Sequence, residues 1–198
     1  MGDPKFLRRR YDTPKHPWEG PRMEEERKLL ERYGLKNKRE LWKAQSVLRG
    51  FRRQARELQA RLRAGEPQAR RETDQLIGRL SRLGILGVGT PTLDDVLALS
   101  TEDILRRRLE WVVFSKGLAP TPKSARQWIV HGHVTVGDHR VRRPGTLLPS
   151  AEEARLDYTP SSPLADDGHA LRVSLRERLE RRGTSPPSPP SVAEEARP

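Results

Sequence analysis

Thr101-Glu102-Asp103-Ile104-Leu105-Arg106-Arg107-Arg108-Leu109-Glu110-Trp111-Val112-Val113 is the stretch that decides the fold. Ile104, Leu105, Leu109, Val112 and Val113 recur at helical spacing and predict one apolar stripe, with Arg106 and Arg107 on other faces. Thr101 before two acidic residues marks a helix start, and Gly117 marks a stop. Thr121-Pro122 then offers an N-cap, with proline just inside a second helix from Lys123 to His131 that Gly132 ends. Ala125, Trp128 and Ile129 of that helix are placed to pack on the first stripe. The chain continues His133-Val134-Thr135-Val136, turns at Gly137-Asp138 and returns as His139-Arg140-Val141-Arg142. A two-residue Gly-Asp turn between alternating runs predicts a β-hairpin.

Alternation assigns the hairpin's faces. Val134, Val136 and Val141 share the expected buried face, leaving His133, Thr135, Arg140 and Arg142 on the other. Lys123, Ser124, Arg126 and Gln127 open the second helix beside amides that favour anions. A helix-helix-hairpin module built this way presents donors to a polyanion.

Working outward, the chain has 198 residues, no cysteine and a mean hydropathy of −0.84, with hydrophobic and charged residues each at 33%. Such a chain buries a modest core, and part of it is expected to order on a partner. The net charge of +12 and pI near 10.8 point to nucleic acid or an anionic membrane. No apolar run approaches a membrane span and no secretory signal is visible, so a cytosolic, RNA-facing protein without a membrane partner is expected. Charge is concentrated in two blocks, +10 over residues 1–73 and +7 over 104–149, separated by a weakly acidic connection. Arginine supplies 31 of the 39 basic residues. Its planar fork suits phosphates and bases of structured RNA, although a GC-rich genome gives the same bias.

Residues 1–22 read as an extended basic arm. Pro4, Pro14, Pro17 and Pro21 oppose a regular helix, while Arg8, Arg9, Arg10 and Lys15 alternate with Tyr11, His16 and Trp18. A helical region spans 23–100. Its expected helices are Met23 to Tyr33, ended by Gly34; one capped by Asn37 that runs through Leu62, with a bend allowed at Gly50; Gln68 to Leu83; and Leu93 to Leu99, opened by Thr92. Lys43, Arg49, Arg52, Arg53, Arg56, Arg61 and Arg63 supply the charge around the second helix and are read as RNA contacts, because acids are scarce between Lys43 and Arg63. The module occupies 101–149. Beyond it, 150–182 is expected to supply an edge strand at Leu156 and Tyr158 and a basic helix from Leu171 to Leu179, packed on the N-terminal lobe. Residues 183–198, rich in Ser-Pro-Pro, are expected to be disordered. The fold class predicted is α+β, mainly helical.

Signs of catalysis are missing from the sequence. Gly84 to Pro91 is rich in glycine but lacks the Lys-Ser/Thr pair of a phosphate loop, and no nucleophile-base set or dinucleotide fingerprint appears. Asp94 and Asp95 are explained as acids in a helix's first turn. His131, His133 and His139 crowd the hairpin without an acidic partner nearby, and read as RNA-facing donors or satisfied surface groups rather than metal ligands. No enzyme activity, cofactor or metal is expected.

Arg108-Leu109-Glu110, Gly117, Lys123-Ser124-Ala125-Arg126-Gln127, Gly132-His133-Val134-Thr135-Val136-Gly137, Val141 and Pro144 together resemble the S-four RNA-binding domain. Glu110 stands where that pattern often has Asp, and Gly137-Asp138 where it often has Asn-Gly. The wording from Val112 to Gly137, Tyr11-Asp12-Thr13-Pro14-Lys15-His16-Pro17-Trp18 and Leu35 to Lys43 extend the resemblance to the archaeal-type small-subunit ribosomal S-four family, over roughly residues 1 to 180. Zinc found in some members is not implied, because its cysteine ligands are absent. The resemblance implies binding to the five-prime domain of small-subunit rRNA early in assembly. It also implies a place on the path by which mRNA enters, beside neighbouring small-subunit proteins such as the S-five family. It implies one RNA face made of Arg106, Arg107, Arg108, Lys123, Ser124, Arg126, Gln127, His131, His133, Arg140 and Arg142, and a second made of Arg8, Arg9, Arg10, Lys36, Lys38, Arg39, Lys43, Arg49, Arg52, Arg53 and Arg56. A ribosome-biogenesis factor or RNA chaperone using the same module is the alternative, and a structural protein on anionic membrane or DNA is a more distant one.

Overall fold

The computed structural model describes residues 9–87 and 89–181, so Arg8 and the tail from 183 lie outside the described residues. Local signals set most helix ends. Helix α1 spans Gly20–Tyr33, three residues earlier than expected, because Pro21 falls in the first turn where a missing N–H costs nothing. Gly34 ends it in the left-handed conformation at φ 65°. Asn37 caps α2, Lys38–Arg63, by accepting from the Glu40 amide at 3.2 Å. This helix runs through Gly50 as one segment and buries Leu41, Ala44, Leu48, Ala55 and Leu58. Pro67–Arg82 forms α3, and Leu93–Ala98 forms α4, where the Asp95 carboxylate and Thr92 cap each other.

The expected helix from Thr101 is two helices. α5 covers Thr101–Arg106 and α6 covers Leu109–Ser115, with Arg108 extended between them. The returning chain after the hairpin causes the break. The Leu109 amide donates to the Thr146 carbonyl at 2.8 Å, Glu110 to Pro144 at 3.2 Å, and Leu148 donates to the Arg107 carbonyl at 3.0 Å. Those backbone groups bond across the chain instead of along a helix. The single stripe therefore divides. Ile104, Leu105 and Trp111 enter a core with α1–α4, while Leu109, Val112 and Val113 enter a second core with the module.

The second core is completed by α7, Pro122–His131, and a three-stranded antiparallel sheet. Thr121 caps α7, and Gly132 ends it at φ 80°. Strand β1, Val134–Val136, lies between β2, His139–Arg140, and β3, Leu156–Tyr158. Val134 faces Tyr158, and Val136 faces both Leu156 and His139. Because β3 covers β1, Thr135 is buried and donates to the Asp157 carbonyl, instead of lying on an open polar face. The return strand stops at Arg140, and Val136 and Val141 are only half-buried. Leu156, Tyr158 and Leu164, expected on the N-terminal lobe, instead join the module's core. The short α8, Ser150–Glu153, precedes β3, and α9, Ala170–Arg181, follows it.

Gly34 sits where the two lobes touch. A Cβ there would lie 2.7 Å from the Pro122 Cβ and 3.1 Å from the Lys123 amide nitrogen. Gly34→Ala is expected to lower stability by ~1–3 kcal/mol in urea denaturation, from left-handed strain and this contact together. Gly50→Ala, with nothing within 4 Å of its Cβ, is expected to raise it by ~0.5–1 kcal/mol in the same measurement.

Candidate RNA-binding surface

The junction between the lobes is ionic at its centre. Arg108 donates to the Glu40 carboxylate at 2.7 Å, and Arg126 donates to the same oxygen. Arg126 also binds Glu110 through both of its carboxylate oxygens, at 3.2 and 3.1 Å, and Arg108 approaches Glu110 at 3.6 Å. Glu110 is 1% exposed, and that burial pushes its carboxyl up to about 7 despite the two guanidinium groups. Glu40 moves the other way. Burial raises it, but Arg126 and Arg108 outweigh that and hold it below the ordinary carboxylate range. The two acids differ because Glu40 takes the closest hydrogen bonds from both arginines, leaving Glu110 the weaker share.

Part of the expected RNA face is thus paired within the chain. Arg108 and Arg126 point inward and have carboxylate partners. Arg107 binds Glu153 at 3.0 Å and the Leu148 carbonyl at 2.9 Å, and Arg52 binds the Leu99 carbonyl. Lys38 reaches buried Glu26 at 3.1 Å. Arg106 is exposed but lies near Glu102 and Asp103, and Ser124 is held in the cap by Thr121. These groups fix the structure before any ligand arrives.

The remaining cations gather on the outside. α7 carries exposed Lys123, Gln127, Val130 and His131 on the side opposite buried Ala125, Trp128 and Ile129. The contact of Gly34 with Pro122 sets the turn bearing exposed Lys36 and Arg39 beside the start of α7, with exposed Lys43 one turn further along α2. At the other end of α7, a Cβ on Gly132 would lie 2.9 Å from Arg140 Cδ and 3.2 Å from Arg142 Nε, so both arms cross the helix terminus. His131 and His133 sit there with ring planes 14° apart and centroids 6.1 Å apart, and His133 Nδ1 is 2.8 Å from Ser162 Oγ. Donors thus mark both ends of a ten-residue helix, about 15 Å long. Arg53 and Arg56 are exposed further along α2, where Arg49 is paired with Asp12 at 3.2 Å; Arg9 and Arg10 are exposed on the arm.

The sequence matches two family models that follow one another along the chain. Residues 4–106 match the family described as ribosomal protein S4/S9 N-terminal domain, and 107–153 match the S4 domain. The chain belongs to the ribosomal protein S4 family. It is 53% identical to a small ribosomal subunit protein uS4 of Picrophilus torridus over 175 residues, 88% of this chain and 95% of that one. A uS4 of Thermoplasma volcanium is 49% identical over 181 residues, 91% and 90% of the two chains. One from Methanococcus aeolicus is 51% identical over 173 residues, 87% and 96% of the two chains. As an S4-family member the chain is a structural constituent of the small subunit, not an enzyme, and its place is the cytoplasmic ribosome.

Arg143 and Arg155 are also exposed. Arg155 follows the expected module, but its carbonyl accepts from the Gly137 amide at 2.8 Å, which puts it at the hairpin turn. The signal that finds it is the Leu156–Tyr158 alternation, once that strand is paired with β1.

Glu110 generates a pH prediction. Its folded carboxyl, raised from 4.5 to about 7, favours the protonated form, so the associated stability is present below 4.5 and is lost as pH rises towards 7. The difference in melting temperature between the wild type and Glu110→Gln is expected to shift against the wild type across that window, and to level off above it. A constant difference would contradict the assignment.

Proposed function

We propose that this protein is a primary binder of the five-prime domain of small-subunit rRNA, acting early in subunit assembly. Its later place is the mRNA entrance, beside S-five-family and other small-subunit proteins. The reading is supported by the family and, above all, by one juxtaposition. The α1–α2 turn, with exposed Lys36 and Arg39, meets the start of α7, with exposed Lys123, while Arg108 and Arg126 lock the two lobes at Glu40 and Glu110.

Binding is then a matter of position and charge. Each exposed cation displaces counterions from a phosphate, and the buried cluster fixes the spacing between cations drawn from different lobes. Arg140, Arg142 and His131 extend the contact beyond the far end of α7, where a ring has access to unpaired bases. Rigid spacing makes such a surface selective for one folded junction over other RNA of equal charge.

The test is binding of the purified protein to a five-prime-domain fragment, and to an unrelated structured RNA of equal length, across a salt series. A preference that survives physiological salt is expected, and equal binding that collapses with salt would overturn the proposal. Lys123→Ala is expected to weaken fragment binding by ~1–3 kcal/mol with an unchanged melting temperature, and to flatten the salt slope by about 1. Arg126→Ala is expected to behave differently. It leaves Glu110 buried opposite one arginine, at a stability cost of ~3–5 kcal/mol in urea denaturation.

A further inference from the structure

Among the described residues, Trp18 is the most exposed large hydrophobic side chain, at 88%. Burying such a ring is ordinarily favourable, and nothing in its sequence position forces it outward. The exposure is built. Lys15 to Trp18 form a turn, and the Arg22 guanidinium holds it by donating to the His16 carbonyl at 2.7 Å and the Pro17 carbonyl at 3.1 Å. Arg22 is itself fixed by Glu19 at 3.3 Å and by Glu26 at 2.7 Å. Glu26 is buried, and it also accepts from Trp42 Nε1 at 3.0 Å and pairs with Lys38 at 3.1 Å. Upstream, Tyr11 packs on Trp42 with centroids 6.0 Å apart, and the Asp12 amide donates to Ser46 at 3.3 Å. The backbone around Trp18 is therefore held on both sides while its indole stands in solvent.

Charge around the ring selects the occupant. Asp12 is matched by Arg49, Glu19 by Arg22, and Glu26 by Arg22 and Lys38, while Glu24 and Glu25 on α1 are exposed and lie in no ion pair among the described residues. Arg9, Arg10 and Lys15 are exposed and have no carboxylate partner among the described residues. A free aromatic face on an arm that also carries unmatched cations suits a nucleobase on the ring and its phosphates on the side chains.

We propose that Trp18 is a stacking site for an unpaired base of the rRNA, held in place by Arg22 acting as a positioning residue. The inference rests on the rRNA-binding reading above and adds a non-ionic contact to it.

Tryptophan fluorescence reads the site, because Trp111 and Trp128 are buried and Trp42 is half-buried. Iodide is expected to quench the free wild type far more than Trp18→Phe. The five-prime-domain fragment is expected to protect the wild type, and a perfect RNA duplex is not. Trp18→Ala is expected to lower affinity for the fragment by roughly 5- to 100-fold, as for loss of one base stack, with an unchanged salt slope. Trp18→Phe is expected to stay within about 3-fold of the wild type, because a ring is retained. Trp18→Ala binding as tightly as the wild type would overturn this inference alone, as would protection that appears only when another small-subunit protein is added. A wild type with no preference for the fragment would overturn the proposed function and this inference together.

Discussion

Two arginines and two glutamates at the lobe junction are the constraint on which the rest of the structure depends. Glu40 comes from the start of α2, Arg108 from the break between α5 and α6, Glu110 from α6, and Arg126 from α7. No single element supplies more than a part, so the cluster fixes four segments relative to one another. Buried ion pairs add little net stability over apolar packing, but leaving one member unmatched is expensive. The cluster therefore works as a specificity device, since an arrangement that separates the lobes strands a buried charge. Apolar packing on either side gives the lobes substance; the ions give them one mutual orientation.

That division of labour explains why a strongly basic protein keeps some of its most conspicuous cations out of solvent. Arg108 and Arg126 neutralise acids inside, and Arg107 ties the junction to α8 through Glu153. Lys36, Arg39, Lys43 and Lys123 are left on the outer side of the same junction. Rigidity of the inner layer limits the freedom of the outer one, which reduces the ordering cost of binding.

Features encoded over three or four residues were legible in the sequence. Asn37, Thr92 and Thr121 cap the helices they were expected to cap, and Gly34 and Gly132 end theirs, because caps are decided by immediate neighbours. What was illegible depended on distant partners. Arg126 spells a surface cation until Glu40, 86 residues away, is folded against it. The stripe from Ile104 to Val113 spells one helix until Pro144 and Thr146 return to take its amides. Leu156 and Tyr158 spell a strand, but only the pairing with β1 shows which lobe it completes. Thr135 went from an open face to a buried one for that same reason.

The returning segment at 144–148 also bears on how the chain is made. Synthesis delivers α1–α4 first, yet Glu40 waits for Arg108 and then Arg126, while the amides of Leu109 and Glu110 wait for Pro144 and Thr146. β1 has one free edge until Leu156–Tyr158 emerges. A nascent chain stopped short of that strand holds an open sheet edge and an incomplete second core, the state most exposed to mispairing. The second core is thus closed only when Leu156–Tyr158 pairs with β1, after every residue of the ionic junction has been made.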